Sequence, residues 1–272
     1  MQRIVLLTGS ELRHTFFRKF IGDSREISVV NTYCEGVEKS LRSMIYVDGK
    51  DSSRDKHLYA REQSENDMFK LYIDNTEDQS NPIQLPKGDI NLPAYTDKIL
   101  ESDPDLLIAY GCSIIKEPLL SAFTGRFLNV HLGLSPYYRG SGTNFWPLVN
   151  NEPEYVGATF MHIDAGIDTG DIIHQIRPRI SWGDMPTNIG NRLIIDVCRT
   201  YQNIILQFNN LQKMEQITGV ELRHKVYRNK DYSDDSVDQL YRNFNEGMIE
   251  KYLNEEKYRC EKVPIIENPS IK

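Results

Sequence analysis

Cysteine is scarce: four residues, at positions 34, 112, 198 and 260, are scattered over 272, with no C-x-x-C pair. That excludes a disulfide framework and a cysteine zinc site, and leaves free, mostly buried thiols as the expectation. Long apolar runs are missing too, and none approaches the roughly 20 residues that cross a bilayer. The opening Met1-Gln2-Arg3-Ile4-Val5-Leu6-Leu7 is too short for a signal-peptide core and cleavage site. It reads as a first strand, and the chain as cytoplasmic. Positive charge is in deficit, with 32 Lys and Arg against 39 Asp and Glu, a net −7. Such a balance gives no general attraction for nucleic acid. The single basic stretch, Arg223 to Lys230, is an ordinary solvated loop on this reading. No internal repeat or low-complexity linker divides the chain. What is present, 39% hydrophobic and 26% charged residues, is the mixture of a folded protein.

The patterning predicts alternating strands and helices. Ile4 to Leu7 is an apolar β-branched run that ends in Thr8-Gly9-Ser10. Leu12, Phe16, Phe17 and Phe20 then recur at helical spacing. Strand, tight turn and helix form the opening of a doubly wound fold. Further strands are expected at Ile27–Val30, Asp105–Tyr110 and Phe127–Val130, and helices at Arg54–Tyr72, Tyr95–Glu101 and Leu119–Phe123. The segment 35–93 is otherwise hard to assign, with a Pro/Asn/Gly-rich loop expected over Asn81–Pro93. Val156 to Arg179 reads as two strands around a glycine loop, an antiparallel pair added to the sheet. Beyond Trp182 the chain reads as helical, chiefly over Ile189–Phe208 and Val237–Leu253. The expectation is therefore α/β: a Rossmann-like, mostly parallel sheet with helices on both faces, plus a mainly helical C-terminal extension. Residues 1–182 would form the catalytic domain and 183–272 an extension packed on it. Val237, Leu240, Tyr241, Phe244 and Met248 make a helical stripe that serves either this packing or a homodimer interface.

The chemically informative segment runs from Asn129 to Asp171. Asn129 and His131 sit two apart at the end of an expected strand, so both project from one face. A turn-rich loop, Leu132 to Gly140, follows at the carboxyl edge of the sheet, where doubly wound folds bind ligands. Thirty-seven residues after His131, Asp168 lies within Asp164-Ala165-Gly166-Ile167-Asp168-Thr169-Gly170-Asp171. The glycines let that loop fold close to a ligand and bring its carboxylates toward the histidine.

Asn129-Val130-His131, Pro136 to Gly140, Gly157-Ala158-Thr159 and Asp164 to Asp171 together resemble the folate-dependent formyltransferase family over roughly residues 1–180. In that family the signature is N-x-H, P-x-Y-R-G, G-x-T and D-x-G-x-D-T-G-D. The resemblance implies transfer of a formyl group from 10-formyltetrahydrofolate to an amine of a small-molecule acceptor, with no metal, no nucleic acid and no membrane involved. Attack by a neutral amine on the formyl carbon gives a tetrahedral intermediate with a developing oxyanion. A carboxamide N–H and a histidine N–H aimed at that oxygen stabilise it, each such donor contributing about 3 kcal/mol. Asn129 and His131 fit those catalytic roles. Asp168 would orient the histidine, raise its pKa and help relay the amine proton through water.

The family likeness also places the pterin of the folate between Ser113-Ile114-Ile115 and the Asp164-Ala165-Gly166-Ile167 loop. Taken alone, Ile114 and Ile115 would be core residues and Asp164 a turn cap. The Gly9-Ser10 turn either joins strand to helix or holds an anionic part of the acceptor. Arg139 and Asn144 are further acceptor-contact candidates. Trp146 either fills the core or stacks on a ring, and His162 reads as structural.

Two departures bear on the acceptor. Leu132-Gly133 stands where the family usually has Pro-Ser after the histidine. Glu11 stands where glycinamide ribonucleotide enzymes have Asn beside the phosphate. The methionyl-tRNA enzymes carry a β-rich, basic C-terminal domain, unlike the helical, balanced region here. What remains is an amino sugar on a nucleotide carrier, the preferred acceptor, or another small primary or hydroxylated amine. The alternatives are a formyltetrahydrofolate hydrolase, whose members usually add an N-terminal regulatory domain, and a non-catalytic folate- or nucleotide-binding protein.

Overall fold

The computed structural model describes residues 1–36, 51–166, 168–217 and 226–271. Its centre is a seven-stranded sheet, with the strands in the order β3-β2-β1-β4-β5-β6-β7. The strands are β1 (Gln2–Gly9), β2 (Ile27–Glu35), β3 (Pro82–Leu85), β4 (Leu106–Tyr110), β5 (Phe127–His131), β6 (Ala158–His162) and β7 (Ile172–Ile176). Strands β1 to β5 pair in parallel, whereas β6 is antiparallel to both β5 and β7.

The burial of β1 shows why this sheet is sandwiched. Ile4, Val5, Leu6 and Leu7 are all fully buried. Ile4 and Leu6 enter the core cluster containing Phe16, Phe17 and Phe69, while Val5 and Leu7 enter the opposite one with Ile99 and Phe123. Successive side chains of a strand point to opposite faces, so an unbroken apolar run requires cover on both. Each such residue contributes roughly 1.5–3 kcal/mol by leaving water.

Helices α1 (Leu12–Gly22), α2 (Ser53–Asn75) and α6 (Pro186–Leu206) supply one cover. Helix α3 (Pro93–Ser102) and the one-turn α4 (Leu119–Ala122) supply the other. Ser52 caps α2 by accepting from the Asp55 backbone N–H, while the Asp55 carboxylate accepts from the Ser52 backbone. The short α5 (Trp146–Val149) follows β5. Trp146 is buried and stacks on Tyr227, with ring centroids 4.2 Å apart, so it belongs to the core.

Three expectations need correction. The loop expected over Asn81–Pro93 contains β3, which pairs with β2 from Thr32↔Pro82 to Glu35↔Leu85. Pro82 lacks a donor but stands first in an edge strand, where no ladder bond requires one. Strand β2 continues past Val30 to Glu35, because Thr32 and Glu35 find buried polar partners. The run Val237–Leu253 is two helices, α7 (Asp234–Asn245) and α8 (Met248–Glu261). Gly247 separates them in the left-handed region, at φ 79°, which glycine adopts without a steric cost. Val237, Leu240 and Met248 are buried within the chain itself, with Tyr241 and Phe244 partly buried beside them. The segment 37–50 and the basic residues Arg223, His224 and Lys225 lie outside the described residues. No helix among the described residues is long and apolar enough to cross a membrane.

Candidate functional site

The site gathers at the carboxyl ends of β1, β4 and β5. On β5, Leu128 and Val130 turn into one core cluster and Phe127 into the other. Strand alternation therefore gives Asn129 and His131 the same face as Phe127. His131 is 8% exposed, and its Nδ1 lies 3.2 Å from Oδ2 of Asp168. Asp168 reaches it from the β6–β7 loop with φ 52°, a left-handed conformation that aspartate tolerates better than most residues.

That loop is braced from within. Asp164 Oδ1 accepts from the Gly166 N–H at 2.9 Å and from Thr169 Oγ1 at 2.8 Å. Gly170 passes so close to β6 that a side-chain carbon there would lie 1.8 Å from the His162 carbonyl oxygen. Thr159 performs a similar service after β5. Its hydroxyl donates to the Gly133 carbonyl at 2.6 Å and accepts from the Ser135 N–H at 3.0 Å. Gly133 itself lies against His131: a methyl carbon there would be 2.8 Å from Nε2 and 2.6 Å from Cβ of Thr143.

Burial is the larger influence on His131 and lowers its pKa below the ordinary 6.5, while the Asp168 charge pulls in the opposite direction. Asp168 acts in the expected direction on the histidine. The carboxylate does raise it, but desolvation of the imidazolium outweighs the charge. A neutral imidazole opposite Asp168 places its proton on Nδ1, where the carboxylate can accept it. This leaves a lone pair on the buried Nε2. The Tyr138 backbone also bears on the ring and, like Asp168, favours its charged form.

Two cavities meet at this strand end. The smaller, about 160 Å³, is lined by Ser113, Ile114, Ile115, the Asp164–Gly166 turn and Asp168. The folate-contact candidates thus converge, except Ile167, which lies outside the described residues. Ile115 is buried in the core below, and Ile114 is 65% exposed at the rim. The larger cavity, about 560 Å³, is bounded by α1, α2, the 140–145 loop, α6 and Leu240 of α7. Asn129 and Cys112 line both. Burial, and after it the Glu35 carboxylate, push the Cys112 thiol up to about 12, so it is a neutral wall rather than a nucleophile.

The larger cavity contains residues that sequence reasoning did not assign to a site. Arg13 pairs with Glu11 at 2.8 Å and with Glu65 at 3.2 Å. Arg61 approaches the same two carboxylates at 3.7 and 3.1 Å. Two cations and two anions thus neutralise one another in the wall. His14 lies beside them, held neutral by burial with its pKa pushed down to about 3, edge-on to Tyr110 at 4.8 Å. The i,i+4 spacing of Arg61 and Glu65 was a visible signal, though of a surface pair. Of the acceptor-contact candidates, Asn144 lines this cavity, with its Oδ1 accepting from the Gly157 N–H at 2.9 Å. Gly9, Ser10 and Arg139 are not in its lining. Gly9 packs on His14 instead, and the Arg139 carbonyl accepts from the Tyr227 N–H. Among the described residues, no three His, Cys, Asp or Glu side chains are placed to hold a metal ion.

Comparison with known proteins bears on this arrangement. A methionyl-tRNA formyltransferase of Ruminiclostridium cellulolyticum is 40% identical over 99 residues, 36% of this chain and 31% of that relative. The match thus spans about a third of the relative's length. A sugar N-formyltransferase from a Shewanella species shares the fold at a TM-score of 0.55 and 14% identity, covering 88% of this chain and 87% of that one. The formyltransferase PseJ of Anoxybacillus kamchatkensis was solved with UDP-4,6-dideoxy-4-formamido-L-AltNAc and tetrahydrofolate. It is similar at a TM-score of 0.50 and 19% identity, over 87% of this chain and 97% of that one. The sequence profile described as "Formyl transferase" matches residues 52–199, more than half of the chain. On that match, together with the Asn129/His131/Asp168 geometry and the sheet that carries it, the chain belongs to the formyl transferase family.

Proposed function

We propose that this protein transfers a formyl group from 10-formyltetrahydrofolate to an amine on a small molecule, with a nucleotide-linked amino sugar as the acceptor. The observation that carries the reading is the position of Asn129, in the wall shared by the two cavities and two residues from the His131–Asp168 pair. A group handed from one ligand to another has to cross such a boundary.

The smaller cavity suits a flat heterocycle, with Ile114 and Ile115 beside it and the backbone of the 164–166 turn to read its polar edge. The bound folate supplies the formyl carbon; the chain's own residues supply the rest. Neutral His131 accepts at Nε2 the proton that the amine loses on attack. The resulting imidazolium sits against Asp168, whose charge stabilises it, and its Nε2–H then donates to the oxygen that gains negative charge. When the tetrahedral intermediate collapses, the bond from the formyl carbon to N10 of the folate breaks, and the proton held on His131 passes to N10 so that tetrahydrofolate leaves. The Asn129 carboxamide is a second donor to that oxygen, and one such group contributes about 3 kcal/mol.

The acceptor assignment rests on the larger cavity. Its arginines are already neutralised by Glu11 and Glu65, which disfavours a lone phosphate at the start of α1. About 560 Å³ with mixed polar walls suits a sugar carried on a nucleotide, the class of ligand bound in the PseJ complex. Residues 1–182 act in this reading as the catalytic body, in the cytoplasm. The 183–272 extension closes the acceptor cavity through α6 and α7. Incubation of the protein with 10-formyltetrahydrofolate and a panel of nucleotide-linked amino sugars and simple amines tests this. Formyl loss that requires an amino sugar supports the assignment. Loss without any acceptor points to hydrolysis, and loss only with a different amine class moves the acceptor.

A further inference from the structure

The loop after β4, which borders the smaller cavity, is held from behind by residues that do not line that cavity. Glu35, the last residue of β2, is fully buried. Its carboxylate accepts from the Ser113 backbone N–H at 2.5 Å and from the Gly88 N–H at 2.9 Å, with Lys87 Nζ at 3.3 Å. Asn91 holds the next residues of the loop with both ends of its amide. Its Nδ2 donates to the Ile114 carbonyl at 3.0 Å, and its Oδ1 accepts from the Lys116 N–H at 2.8 Å. Three of the loop's backbone groups, spaced over four residues, are thus occupied by two side chains, one from the end of β2 and one from the turn before α3.

These bonds have a cost that packing alone does not explain. A carboxylate taken wholly out of water is retained only with good partners, and this one spends an oxygen on a loop N–H. A loop whose side chains are split between core (Ile115) and solvent (Ile114) has little else to fix its backbone. We propose that Glu35 and Asn91 are positioning residues for folate binding, acting through the 113–116 loop. They pre-set the backbone that faces the pterin, so that ordering it is not charged against binding. The inference rests on the reading that the smaller cavity receives the folate.

The test is the affinity of the full-length protein for tetrahydrofolate, measured by titration calorimetry. Asn91→Ala removes a partly exposed side chain, and far-ultraviolet circular dichroism checks that the variant is folded. The expected result is about tenfold weaker tetrahydrofolate binding in Asn91→Ala. KM for 10-formyltetrahydrofolate should rise in proportion, and kcat at saturating folate should stay within about twofold of wild type. Glu35→Gln keeps one acceptor but turns an NH2 group toward either the Ser113 or the Gly88 N–H, and should weaken tetrahydrofolate binding at least as much. Unchanged tetrahydrofolate affinity in folded Asn91→Ala overturns the inference. So does a fall in kcat without a change in KM, which would mark a merely structural role. If wild-type protein binds no tetrahydrofolate, the folate reading itself fails and this inference with it.

Discussion

His131 Nδ1 and Asp168 Oδ2 stand 3.2 Å apart, although thirty-seven residues of chain separate the two side chains. The antiparallel pairing of β5 with β6 starts the β6–β7 loop beside Leu128, and the loop folds back along β5 to carry Asp168 to His131. If this pair handles the amine proton, His131→Ala and Asp168→Ala should each lower turnover at least about a hundredfold. Asn129→Ala should lose a comparable factor through the missing donor. Steady-state rates alongside far-ultraviolet circular dichroism separate this loss from unfolding. Near-normal turnover in any folded variant removes that residue from the mechanism.

The pH dependence follows from the net direction of the His131 shift. Burial lowers its pKa below 6.5 and Asp168 limits the fall, so the base is already free at neutral pH. The acidic limb of kcat/KM should therefore rise with pH through a midpoint below 6.5. In the residual activity of Asp168→Asn, where the charge opposing desolvation is gone, that limb should move to still lower pH. Rate profiles from pH 4.5 to 8 provide the check. A limb that stays in place or moves upward in Asp168→Asn contradicts the assigned electrostatics.

Gly133 gives a steric prediction. Because a methyl carbon at this position would press on His131 Nε2 and Thr143 Cβ at 2.8 and 2.6 Å, Gly133→Ala should displace the imidazole. Activity should fall by at least about tenfold, since small misplacements of reacting groups are expensive. The thermal midpoint should drop only modestly. Full activity in Gly133→Ala would show that the ring has room to move.

Acid sensitivity of the fold should come from three other histidines. Burial lowers His14 to about 3, and His57 and His174 to about 4. Above pH 6.5 each is neutral whether folded or unfolded, and stability is unaffected. Below it the unfolded chain binds protons that the folded one refuses, so stability is lost as pH falls toward the folded values. Each histidine adds a slope of about 1.4 kcal/mol per pH unit within that window. Urea unfolding at pH 6.5, 5.5 and 4.5 should show midpoints that decline steadily. A flat series would contradict the burial of these rings.

The triplet proposed as catalytic, Asn129, His131 and Asp168, was legible because its information is local: two residues on one strand face, and a glycine-rich loop with fixed acidic positions. The doubly wound sheet was legible from runs such as Ile4–Leu7 and Leu106–Tyr110, apolar on both faces. Strand β3 was not, because an edge strand of four residues starting at Pro82 carries the composition of a loop. The paired wall of Glu11, Arg13, Arg61 and Glu65 was hidden for another reason. It depends on α1 and α2 packing side by side, and charged residues on a helix ordinarily face solvent. The same holds for α6, whose Asn191 and Ile189 reach the larger cavity from a segment that reads as an appended helix.

In the proposed reaction the group crossing the boundary at Asn129 is a formyl group, and an amine receives it. The direct measurement uses 10-formyltetrahydrofolate labelled with carbon-13 in the formyl group, a nucleotide-linked amino sugar and mass analysis of the products. The account predicts label on the sugar amine with wild-type protein and at least a hundredfold slower labelling with His131→Ala. Label released as formate, or equal labelling by both proteins, would contradict it.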